Sequence, residues 1–155
     1  MSRRKKMTAC QIRLQKDLEN LDSLYGAKLI IPDPNNIQDF IIEITPVEGI
    51  WQGGVFDFHF TIPDDFPFQR PSIICQTRIW HPNIEETGAV CLNILRDNYT
   101  AAMSIDQLVL GLQFLFSEPN PNSPLNKEAA EQYSTNIAAF KQKAQEYMAL
   151  YCKHK

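Results

Sequence analysis

The segment HPNIEETGAVCLNIL, residues 81–95, sets His81, Pro82 and Asn83 ten, nine and eight residues before Cys91. A thiol, an imidazole and a carboxamide are the groups that nucleophilic acyl chemistry uses, so Cys91 is either a nucleophile or one more small apolar core residue. A phosphate-cradling cysteine loop needs five residues between Cys and Arg, small enough for their N–H groups to face the anion. CLNILR has four, among them two leucines and an isoleucine, and no glycine, so that chemistry fails. A papain-like hydrolase needs a histidine base and an orienting Asn or Asp. His81, His59, His154 and Asn83 could nominally supply them, yet Pro82 follows His81 and no such signature surrounds Cys91.

The candidate residues lie in an irregular stretch from Thr77 to Ser104, and a connection that long in a compact domain is usually functional or disordered. Ile79, Trp80, Ile84, Val90, Leu92, Ile94 and Leu95 give it apolar material to pack, which argues for order. The elements around it are readable. Thr8-x-x-Gln11 is a capping box, and Leu14, Leu18, Leu21 and Leu24 follow at helical spacing, with Arg13, Lys16, Asp17 and Glu19 expected on the wet side and Gly26 as the stop. From Ala27 to Gln76 the period becomes two. KLIIP, FIIEIT, VFDFHFTI and SIICQ are short strand-like runs between turn formers, and their connections are too short for crossover helices, so an antiparallel meander is expected. Ser104-x-x-Gln107 opens a helix, IDQLVLGLQFLF, that is apolar nearly all round and is expected to be central and buried. Helices are expected again over Lys127 to Tyr133 and Ile137 to Tyr151. The fold class is α+β, and the expected organisation is a basic tail, residues 1–7, before one domain over residues 8–155.

With 44% apolar and 21% charged residues, the 155-residue chain has globular composition, and its net charge of −3 argues against broad nucleic-acid binding. It lacks a membrane-length apolar run, and SRRKK precedes polar TACQIRLQKDLE rather than the apolar stretch of a secretory signal. The expected compartment is the reducing cytoplasm or nucleus. There Cys10, Cys75 and Cys152 are expected as free, inert thiols, and no metal-ligand spacing or cofactor motif is present. Arg3, Arg4, Lys5 and Lys6 form a solvated basic tail that could also dock a partner.

H-P-N-I, then G-x-V-C-L-N-I-L, with the earlier W-Q-G-G-V-F and P-F-Q-R-P and the later E-P-N-P-N-S-P-L, resembles the catalytic core of ubiquitin-conjugating enzymes, in order along nearly the whole chain. VCLNILRDNY and GLQFLFSEPNPNSPLNKEAA resemble most the branch that conjugates the NEDD or Rub modifier. The resemblance implies that family's core fold: an N-terminal helix, a four-stranded antiparallel meander and three further helices.

It also implies acyl transfer, in which Cys91 takes the modifier's C-terminal glycine as a thioester from an activating enzyme. Cys91 then passes it to a substrate protein lysine with a ligase, the chain acting as a monomer. Such exchange needs positioning and oxyanion stabilisation more than a strong base. Asn83 is then the oxyanion or loop-organising amide and His81 a structural support. Trp80 and Leu125 wall the lysine's approach or belong to the core, and Asn93 stands where the NEDD-type branch has Asn. The activating enzyme is expected at Arg13 and Lys16, the ligase at Phe68, Tyr99 and Ala101, and the modifier's apolar patch near Leu110 and Phe114.

Ser123 replaces an acidic residue common in relatives, leaving Glu118 or solvent to take the lysine's proton. Phe68 is the ubiquitin-type residue, and NEDD-type members carry longer ends than MSRRKK and Lys155. Two other readings are therefore a ubiquitin-conjugating enzyme proper and, in a different class, an inactive modifier-binding scaffold, which typically lacks the cysteine.

Overall fold

The computed structural model describes residues 6–90, 92 and 98–153. Cys91 and Asn93 lie outside the described residues, as do Arg3, Arg4, Lys5 and His154. Helix α1, Ala9–Glu19, starts at the expected capping box: Thr8 accepts the Gln11 N–H, and the Gln11 side chain accepts the Thr8 N–H. A 3₁₀ turn, Asn20–Ser23, extends it, and Leu14, Leu18 and Leu21 point into the core.

The expectation that Asp17 faces water is corrected, since Asp17 is only 4% exposed. Its carboxylate accepts from Arg13 Nε at 3.1 Å and from the Ile105 N–H at 3.2 Å, so two partners compensate the burial of its charge.

Strands β1 (Ala27–Ile30), β2 (Asp39–Ile44), β3 (Phe56–Thr61) and β4 (Ser72–Cys75) form one antiparallel sheet in chain order, the expected meander. Alternation sends Phe40, Ile42, Ile44, Phe56, Phe58, Phe60, Ile73 and Cys75 to a single buried face. Helix α2, Ile105–Ser117, lies against this face, with Phe116 touching the rings of Phe56 and Phe58. Its start carries the expected capping box, with the Ser104 N–H donating to Gln107 Oε1 at 3.1 Å.

Helices α3 (Lys127–Thr135, two residues longer than expected) and α4 (Ile137–Tyr151) complete the chain. The expectation that α2 is buried nearly all round also needs correcting: Leu110 is 49% and Phe114 59% exposed. Those two line an open cleft with Tyr25, the end of β2 at Ile44, and Thr45, Pro46 and Val47. Among the described residues, no helix is long and apolar enough to cross a membrane.

Candidate active site

The loop between β4 and α2 leaves the sheet through a turn, Glu85–Gly88, that folds back onto β4: the Cys75 N–H donates to the Gly88 carbonyl at 2.9 Å. Gly88 has φ +101°, and a Cβ there would stand 2.4 Å from the Cys75 carbonyl oxygen, so only glycine fits. Inside this frame His81 is fully buried and stacked on Trp51 with ring centroids 4.5 Å apart. Its Nε2 lies 2.8 Å from the Leu115 carbonyl and its Nδ1 accepts the Asn83 N–H at 2.9 Å. That pairing makes it the neutral tautomer with the proton on Nε2. Burial lowers its pKa to about 4, against the opposing bond to Leu115. A ring with both nitrogens engaged and no solvent path supports the loop and has no free lone pair for a base.

Asn83 is 2% exposed. Its Nδ2 donates to the carbonyls of Asn120 at 2.8 Å and Ser123 at 3.2 Å, while its Oδ1 accepts the Asn120 N–H at 2.8 Å. One carboxamide thus joins the loop before the candidate nucleophile to the loop after α2. The Pro82 carbonyl strengthens the junction by accepting from the Leu125 and Asn126 N–H groups. Isolated bridges tie Ile84 to His81 and to Val90, and Leu92 is buried.

Of the two residues expected to wall the site, Trp80 is in the core, 2% exposed, its indole N–H on Gln132 at 2.8 Å. Leu125 is half-buried beside Pro82, and Ser123 is exposed with its carbonyl, rather than its hydroxyl, on Asn83. Glu118, the C-cap of α2, is exposed.

The expected ligase residues come together. Phe68 is 84% exposed on the loop after β3, and the Tyr99 hydroxyl donates to the neighbouring Pro67 carbonyl at 2.6 Å. Ala101 is half-buried, its carbonyl accepting from Arg13 Nη1 at 3.0 Å. Arg13 also donates to the Met103 carbonyl at 3.1 Å. Its guanidinium is therefore turned inward, bracing the loop, whereas Lys16 of the same expected surface is exposed.

Cys10 and Cys75 are buried free thiols that donate to the Pro63 and Thr77 carbonyls. Burial pushes Cys75 up to about 12 and raises Cys10, which leaves neither a nucleophile. Cys152 is half-buried and also raised, chiefly by burial.

The model of the family described as ubiquitin-conjugating enzyme matches residues 13–148. This chain belongs to the ubiquitin-conjugating enzyme family. The "Nedd8-conjugating enzyme UbcE2M" of Drosophila melanogaster is 42% identical to it over 95% of this chain and 81% of that protein. The "NEDD8-conjugating enzyme UBC12" of Yarrowia lipolytica is also 42% identical, over 96% and 83%. Among solved structures, the E2 domain of a Toxoplasma gondii ubiquitin conjugating enzyme superposes with a TM-score of 0.84 at 32% identity, covering 92% of this chain and 99% of that one. S. cerevisiae Ubc12 gives 0.82 at 34% identity, covering 91% and 80%.

Family membership makes this ubiquitin-conjugating-type enzyme a transferase, and the thioester expectation agrees with a site whose described histidine braces the loop with both ring nitrogens engaged. Sequence reasoning missed Trp51 as the plate under His81, Asn120 as the partner of Asn83, and the inward role of Arg13. Trp51 stands in the quoted WQGGVF motif and Asn120 in EPNPNSPL; those motifs were the available signal.

Proposed function

We propose that Cys91 carries a NEDD8-type modifier as a thioester, received from an activating enzyme, and transfers it to a substrate lysine with the help of a ligase. The observation that carries this reading is 42% identity, over nearly the whole chain, to relatives named for NEDD8 conjugation. The saturated amide of Asn83 supports a role as loop organiser. It can serve a developing oxyanion by lending one N–H, and the longer bond, to Ser123, is the cheaper one to lend. Lys16 serves activating-enzyme docking. Phe68 with Tyr99 and Ala101 forms the ligase face, where an exposed aromatic on a braced loop suits a binding hot spot.

Exposed Phe68 also favours a second reading, ubiquitin itself as modifier, because it is the residue ubiquitin-type members carry. The chemistry needs a reduced thiol, so we place the protein in the cytoplasm or nucleus. We take the monomer as the working unit.

The test incubates the protein with ATP and, in separate reactions, NEDD8 or ubiquitin with the cognate activating enzyme. A thiol-reducible band with NEDD8 is expected, lost in Cys91→Ser, which can leave a stable oxyester, and kept in Cys10→Ser and Cys75→Ser. A band with ubiquitin alone would establish the second reading; a reducible band in Cys91→Ser would refute the nucleophile.

A further inference from the structure

The arm of the site loop that carries His81 and Asn83 is pinned twice. From inside, His81 and Asn83 hold it to α2 and to the loop after α2. From outside, a cluster on α4 holds it by Arg78, three residues before His81, and Glu86, three residues after Asn83.

The Arg78 guanidinium lies over the rings of Tyr147 and Tyr151, 5.4 and 5.2 Å from their centroids. Its Nη1 donates to the Tyr151 hydroxyl at 3.0 Å and its Nη2 to Glu86 Oε1 at 3.1 Å. The same Glu86 oxygen accepts from the Tyr147 hydroxyl. Tyr147 packs in turn on Trp80, whose ring also lies under the Lys143 ammonium at 3.7 Å. Burial, helped by the bond to Glu86, pushes Tyr147 up to about 12, and the bond from Tyr147, followed by that from Arg78, lowers Glu86. Near neutral pH both therefore stand in the forms the cluster needs, a phenol that donates and a carboxylate that accepts.

Partly exposed ion pairs of this kind contribute little to folding. What the cluster does is geometric. Arg78 and Glu86 bracket the arm, and both are referred to one rigid helix, so the arm cannot slide along the surface while its inner bonds hold. Displacement of a reacting group by about 1 Å costs transfer rates far more than it costs stability.

We infer that Arg78 is a positioning residue for acyl transfer, acting through Glu86 and Tyr147 to register the Asn83 arm on α4. The inference rests on the thioester reading above.

The experiment charges the full chain with NEDD8, or with ubiquitin if only that is accepted, and follows single-turnover discharge to free lysine beside a thermal melt. Arg78→Met keeps the apolar stem over the tyrosine rings and removes every donor; Tyr147→Phe keeps the ring and removes one hydroxyl. Both variants are expected to discharge more slowly, Arg78→Met by about tenfold, while melting within about 3 °C of the wild type.

Because Arg78 acts through the Asn83 arm, Arg78→Met combined with Asn83→Ala is expected to be no slower than Asn83→Ala alone. Wild-type discharge by Arg78→Met overturns the inference, as do multiplied losses in the double variant or a loss of rate matched by a collapse of the melt. A wild type that forms no reducible adduct with either modifier overturns the thioester reading itself, and the two failures are thereby told apart.

Discussion

A carboxamide whose two N–H groups and carbonyl are already taken can hold an oxyanion only by giving one bond up. That is the position of Asn83, and it decides what its removal does. Asn83→Ala leaves the Asn120 N–H and the Asn120 and Ser123 carbonyls without their partner at a part-buried junction. Unmet groups of this kind cost roughly 1–3 kcal/mol each when buried. The variant is expected to melt several degrees lower and to lose discharge by about tenfold or more, while charging on Cys91 declines less. Thermal melts beside single-turnover discharge check both; an unchanged melting temperature with slow discharge would assign Asn83 to the oxyanion alone. At the same scale, Cys10 and Cys75 show that a thiol in a dry pocket is a small apolar residue, since burial holds both in the protonated form.

Among the elements, the loops on either side of the site are tied to α1 and to each other by few, specific bonds. Asp17 bridges Arg13 to the first N–H of α2, and Arg13 passes the constraint to the carbonyls of Ala101 and Met103. Asp17→Asn retains the shape but weakens the charged pair and its hold on the helix start. A loss on the order of 1–2 kcal/mol is expected, read by denaturant unfolding. Ligase-stimulated discharge should weaken as well, because the same bonds shape the Tyr99–Ala101 face; full stability in this variant would refute the bridge.

Phe68, by contrast, touches solvent over most of its surface. Phe68→Ala should leave the melt and charging unchanged and weaken ligase-stimulated discharge by about tenfold to thirtyfold, up to about 2 kcal/mol of one interface. Equal loss of charging and discharge would place Phe68 in the fold instead.

For the molecule as a whole, the stability profile against pH follows from the most deeply buried titratable ring. His81 has its pKa lowered in the folded state to about 4, from an ordinary value of 6.5. Below 6.5 the unfolded chain takes up a proton that the folded chain refuses. Stability from this group is therefore complete above about pH 6.5 and is lost as pH falls towards about 4, on the order of 3 kcal/mol in total. Glu86, also lowered, chiefly by the bond from Tyr147, adds a loss further down in acid. Melting temperatures measured between pH 8 and pH 4 are expected to stay level at first and then fall through the lower half of that range. A level profile down to pH 4.5 would show that His81 is protonated in the folded protein.

What the sequence determined alone is whatever depends on neighbours a few residues away. The Thr8–Gln11 box, the four alternating runs, the short connections that force an antiparallel meander, and the helical spans after position 104 are of this kind, because capping and periodicity act over three or four residues. Motif order, HPNI through EPNPNSPL, carried the family in the same way. What only the tertiary structure decided is which side chains meet. Asn83 finds its partner 37 residues on, at Asn120, and Arg78 meets Tyr151 at a separation of 73. Asp17 sits on a helix face that periodicity assigns to water and is buried because the start of α2, 88 residues away, needs an acceptor there. Composition makes α2 apolar nearly all round, yet Leu110 and Phe114, the pair expected to meet the modifier, stand exposed on it. A sequence records which donors, acceptors and apolar faces exist; the packing of distant segments decides which of them are satisfied within the chain and which are left for a partner.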